Sequence, residues 1–261
     1  MAFRRKRAPA VAPDGERLTA AMTAIGMRFA AAHAAEANVE DTIYFASVAG
    51  VDDGDLRVLA VLVTWFGVHH PRVNVDRLTK LVADRGSPRV RALWSALATW
   101  QAKDHRYARL AAMHQGERVD LLATGTEFQV RRHGEDPRFA ATCLRVPANV
   151  LRDRPEDVLG PEALARQHAA YRQRVIMGPS YRADLWAALA AQPRLTASEL
   201  AHRTYASFAS AWQVKRDFAI VAGATGAADA ADANDAADAS GAADAADAAG
   251  AAGAADEPPP T

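Results

Sequence analysis

Apolar residues recur at intervals of three and four along most of the chain, the spacing of amphipathic helices. Leu18, Met22, Ile25 and Phe29 share one helical face and predict a helix over 14–35. Asn38-Val39-Glu40-Asp41 reads as a second helix start, with Asn38 as cap and two acids at the positive end of the dipole. A third helix is expected from about Leu56 to Phe66, with Leu56, Leu59, Val63 and Phe66 in one stripe. The acids Asp52, Asp53 and Asp55 precede it and complement its dipole rather than form a metal site. Gly67 to Val73, containing His69-His70-Pro71, interrupts the pattern and reads as a surface loop. Asn74 can cap a fourth helix carrying Val75, Leu78, Leu81 and Val82. Ser87-Pro88 opens a fifth, with Val90, Leu93, Trp94, Leu97 and Trp100, and Pro stands where its missing N–H costs nothing.

From Arg118 the period changes. Thr126, Phe128 and Val130 alternate with Glu127, Gln129 and Arg131, and Thr124-Gly125 supplies a turn after Val119 to Leu122. Period two predicts a small β-hairpin over 118–132. Residues 133–160 read as an irregular connection, and Pro161 starts a helix to about Tyr171. The expected fold is mainly α: a multi-helix body with a small β-hairpin and a C-terminal tri-helical unit. The expected division is a basic arm at 1–13, a body at 14–178, the tri-helical unit at 179–223 and an Ala/Asp tail at 224–261.

Charge sharpens this picture. Basic and acidic residues number 31 each, but 224–261 holds eight acids and no Lys or Arg. Residues 1–223 therefore carry 31 bases against 23 acids, a net +8. The tail falls into triplets close to Ala-Ala-Asp with no large apolar side chain to bury, which predicts disorder. The same is expected of the arm with Arg4-Arg5-Lys6-Arg7. No apolar run reaches the length of a membrane span, and Pro9, Pro13, Asp14 and Glu16 follow the basic arm where a secretory leader needs an apolar stretch. A cytoplasmic protein with no membrane partner is expected. Cys143 stands alone, so neither an internal disulfide nor a multi-cysteine zinc site can form.

The strongest motif lies near the C-terminus. Tyr181, Leu185 and Leu189 share a helix face, and Gln192-Pro193 stops that helix. Thr196 and Glu199 then have capping-box spacing, with Leu195 placed to staple onto Leu200. Ser207 can cap a third helix from Phe208 to Val221. Ala211, Val214, Phe218 and Val221 should face the core, while Trp212, Gln213 and Arg216, with Lys215 beside them, face outward. Residues 180–222 thus resemble the helix-turn-helix and winged-helix superfamily. The resemblance implies that the third helix enters the DNA major groove, where Ser207, Ser210, Gln213 and Arg216 stand at the base-contacting positions. Gln pairs with adenine and Arg with guanine. An exposed Trp212 also suits a protein contact, so the second expectation is an interaction module, regulatory or antitoxin-like, whose Trp212 face docks a protein.

Two weaker patterns complete the reading. The three helices from Leu56 to Trp100 followed by the hairpin approach winged-helix order, with Arg85, Arg89 and Arg91 near the third helix and Arg131-Arg132 ending the wing. Residues 57–145 hold 15 bases and eight acids. Asp120 and Glu127-Phe128-Gln129 are similar to the paired carboxylates of a restriction-type nuclease, a third reading, but Gln129 stands where a Lys should activate water. There is no glycine-rich phosphate loop. Neither catalysis, nor a cofactor, nor a metal site is expected.

Overall fold

The computed structural model describes residues 13–34 and 37–223. The expected disordered arm and Ala/Asp tail lie outside the described residues, apart from residue 13. The chain divides into two units, the first ending at Ser180 and the second beginning at Tyr181.

The first unit is mainly helical. Its elements begin with α1 (Gly15–Ala24), α2 (Val39–Val51), α3 (Leu56–His69), α4 (Val75–Arg85) and α5 (Pro88–Trp100). The caps read from sequence, Asn38 and Asn74, are in place, and Asp14, Asp55 and Ser87 cap their helices as well: each of the five accepts a backbone N–H from the first turn. Helix α2 packs against α1, α3, α4 and α5. The core between them is built around Trp65, Phe66 and Trp94, all fully buried. The indole N–H groups are satisfied inside it, Trp65 donating to the Ile25 carbonyl at 2.7 Å and Trp94 to the Ser47 hydroxyl at 2.9 Å.

Helix α1 is shorter than the periodicity predicts. Gly26 has φ +91°, and a side chain there would also press on Leu159 and Leu164. The chain turns at this close approach, so Ile25 and Met27 reach the core from a turn while Phe29 lies outside the helix.

The rest of the unit comprises α6 (Ala108–Ala111), β1 (Val119–Asp120), α7 (Thr126–His133), β2 (Leu144–Arg145), α8 (Pro161–Gln167) and α9 (Ala169–Met177). The expected hairpin is absent. Val119 and Asp120 pair in parallel with Leu144 and Arg145, and the second expected strand is helix α7. Two left-handed glycines, Gly125 (φ +78°) and Gly134 (φ +79°), bracket that helix. The alternation of Phe128 and Val130 with polar residues misleads because it marks no buried face: Phe128 is 59% exposed. Glu, Gln and Arg favour helix, and Glu127 at the start with Arg131 and Arg132 at the end suit its dipole. Without a hairpin there is no wing, and the upstream winged-helix pattern is lost with it.

His69 was expected on a surface loop and is fully buried at the end of α3. Its Nε2–H donates to the Leu159 carbonyl at 2.9 Å, and the Tyr171 hydroxyl donates to Nδ1 at 2.7 Å. Burial holds the imidazole down to a pKa of about 4 and raises the Tyr171 phenol to about 12. As pH drops below about 6.5 the unfolded chain binds a proton that the folded chain refuses until about pH 4. Stability should therefore fall across that window, by up to ~3 kcal/mol. His69→Gln should remove this part of the slope in urea titrations between about pH 7 and pH 4. An unchanged slope would mean that His69 is protonated in the fold.

Glu40 and Arg174 are also completely buried. Arg174 grips the Glu40 carboxylate through both terminal nitrogens, at 2.6 and 2.9 Å, and the Asn74 N–H donates to it at 2.8 Å. Arg77 lies 3.9 Å from the same carboxylate and is itself paired with Asp41. This cluster ties α9 to the starts of α2 and α4.

Candidate nucleic-acid interface

The second unit holds α10 (Tyr181–Ala191), α11 (Ala197–Thr204) and α12 (Phe208–Ala222) around their own apolar core of Leu185, Leu189, Leu195, Leu200, Ala211 and Val214. Each local signal read from sequence places an element. The Thr196 hydroxyl accepts the Glu199 N–H at 3.2 Å, and Glu199 accepts the Thr196 N–H at 2.9 Å, closing the capping box. Those bonds from the Thr196 backbone and hydroxyl hold the Glu199 carboxyl below its usual range. Leu195 and Leu200 are both buried in the core. Tyr205, with φ +60°, ends α11 in the left-handed region, and Ser207 restarts the chain as the cap of α12, accepting the Ser210 N–H at 3.0 Å.

Four residues were expected at the base-contacting positions, and all four are exposed along α12. Ser207 and Ser210 are hydrogen-bonded to each other at 2.8 Å. The Gln213 amide donates to Asp217 at 3.0 Å, and Asp217 also accepts Arg182 at 2.8 Å. The hydrogen bond from Arg182 keeps the Asp217 carboxyl ionised below its usual range. Arg216 lies over the Trp212 ring, 4.7 Å from its centroid, a cation–π contact that leaves the guanidinium edge outward.

Three expectations for α12 need correction. Trp212 is half-buried, packed against the unit's core beneath Arg216, rather than freely exposed. Lys215 is buried, because it sits one turn beyond Ala211 on the packed side of the helix. Val221 is 74% exposed and Ile220 is 79% exposed. Helix α12 has 15 residues against 11 in α10 and eight in α11, so its last turn outruns the core.

The carboxylates of the nuclease-like pattern do come together, but around an arginine. Arg145 donates to both Asp120 oxygens at 2.7 and 3.0 Å and to Glu127 at 2.7 Å. Its hydrogen bonds hold Asp120 below the usual carboxylate range. A divalent cation would have to displace this guanidinium. Among the described residues no group of three or more His, Cys, Asp or Glu side chains is placed to hold a metal ion. Cys143 is half-buried, its thiol donating to the Ala92 carbonyl at 3.3 Å. With Mg²⁺ or Mn²⁺ the purified chain should leave DNA intact, and Glu127→Ala should change nothing in that assay. Metal-dependent cutting that disappears in the variant would instead establish a nuclease.

No helix among the described residues is long and apolar enough to cross a membrane. No protein-family model, no curated protein and no solved structure matches the chain.

Proposed function

We propose that this chain is a cytoplasmic DNA-binding or regulatory protein whose C-terminal three-helix unit contacts duplex DNA through α12. What supports the reading above all is the outward face of that helix. It carries Arg216 and Gln213 opposite the buried Ala211 and Val214, on a unit with its own core. Arg216 is pre-oriented by its stack on Trp212 and is the residue expected to make a bidentate contact. Gln213 must exchange Asp217 for a base edge, which makes it the weaker of the two. The net +8 of residues 1–223 supplies the long-range attraction to phosphate. No catalytic step, cofactor or metal enters this reading. Mobility shift on duplex DNA across a salt series tests it.

A second reading has its own support. Ile220 and Val221 form an exposed apolar end to α12, and with Trp212 nearby on the same helix they suit a protein partner. In that case Trp212→Ala, not Arg216→Ala, abolishes function, read as capture of the partner.

A further inference from the structure

Helix α7 is weakly tied to the rest of its unit. Thr126 is its one buried residue, and Glu127 is held by Arg145 at 2.7 Å and by Arg131 at 3.3 Å. Most of the remaining surface is open: Phe128, Arg131, Arg132 and His133 are exposed and Gln129 is half-buried. Phe128, at 59% exposure, is the most exposed phenylalanine among the described residues. Arg131 and Arg132 follow it by three and four residues, which places both on the same face of the helix as Phe128. The only acid of the helix, Glu127, is neutralised by its two arginines, and Arg132 makes no ion pair among the described residues.

An open aromatic face bordered by arginines matches one partner chemistry on both counts: an anionic strand whose rings are free to stack. Bases within a duplex are stacked on one another, whereas those of a single strand present their faces. An acidic peptide would answer the arginines but gives the ring nothing to stack on. We propose that α7 is a stacking platform for single-stranded nucleic acid. Phe128 packs on an unpaired base, Arg132 and Arg131 meet the flanking phosphates, and the Gln129 amide adds a sequence-tolerant hydrogen bond. The site is separate from the duplex contact proposed for α12 and does not depend on it.

The test is fluorescence anisotropy of the full chain with a labelled oligothymidylate of about twenty nucleotides at ~50 mM salt. Phe128→Ala should weaken binding by about 5- to 150-fold, the factor for losing one aromatic stack. Phe128→Trp should retain it, and Arg132→Ala should reduce the log–log salt slope by about 0.7. Dependence on Phe128 keeps the result distinct from the α12 reading, in which Phe128 has no part. Phe128 contributes little to the core, so circular dichroism of each variant should match the parent. The proposal is overturned if the chain does not bind the oligothymidylate, if Phe128→Ala binds as well as the parent, or if Phe128→Trp loses as much as Phe128→Ala. Phe128-dependent capture of labelled polyaspartate without capture of the oligothymidylate would assign the face to an acidic protein, and overturns it equally.

Discussion

Arg174→Ala should destabilise the first unit by about 3–5 kcal/mol, the cost of leaving a buried charge without its partner. Glu40 has no exposed surface, and Arg174 supplies two of its hydrogen bonds. Once Arg174 is gone, the Asn74 N–H and the more distant Arg77 are the neighbours described above that remain to offset burial. Domains are stable by only about 5–15 kcal/mol, so this is a large fraction, worth roughly 6–20 °C in Tm for a unit of this size.

The pH dependence separates this account from simple loss of packing. In the parent, burial pushes the Glu40 carboxyl up, but the charge and hydrogen bonds of Arg174 and the Asn74 N–H outweigh it and hold the carboxyl below its usual range. A depressed folded pKa gives stability that is present above the unfolded value, about 4.5, and is lost as pH falls. In Arg174→Ala burial dominates, so the folded pKa should rise above the unfolded one. The sign then inverts: the variant's deficit should be largest near neutral pH and should shrink as the solution is acidified towards about pH 4. Urea unfolding of both proteins over that range measures it. A deficit independent of pH would mean that Arg174 acts through its volume alone.

The contrast between the two units shows what sequence can carry. Residues 181–222 are organised by signals a few positions apart, namely the Thr196–Glu199 box, the Leu195 and Leu200 pair and the Ser207 cap, and all of these were legible. So were the Asn38 and Asn74 caps, the Ser87-Pro88 start and the apolar stripes of α3 to α5. What escaped was set by distant partners. Glu40 reads locally as a dipole-complementing acid, yet its partner lies 134 residues away. His69 reads as a loop residue until Tyr171 and Leu159 close over it. The hairpin failed because alternation over 126–132 mimics a half-buried strand, whereas among the described residues no element covers Phe128. On α12 the period assigned Ala211 and Val214 correctly, but it cannot report that α10 and α11 end before Val221, nor that Arg216 folds back over Trp212.

Arg216→Ala should weaken specific duplex binding by a factor of roughly 5 to 150, the range for one bidentate base contact worth ~1–3 kcal/mol. The fold should persist, because Arg216 is exposed and lies outside the core of the unit, over the Trp212 face. Removing residues 224–261 should act in the opposite direction. That segment carries eight acids and no base, and in this reading it should compete with phosphate for residues 1–223, of net +8. The gain should be largest at low salt, where these charges are least screened.

The decisive measurement is therefore duplex binding by the full chain, its tail-deleted form and Arg216→Ala across one salt series, on random and genomic fragments. Binding is expected at about 50 mM salt, falling steeply as salt rises, strengthened by tail deletion and losing its sequence preference in Arg216→Ala. Absence of any salt-sensitive binding at about 50 mM, where even non-specific phosphate contacts are visible, would contradict it.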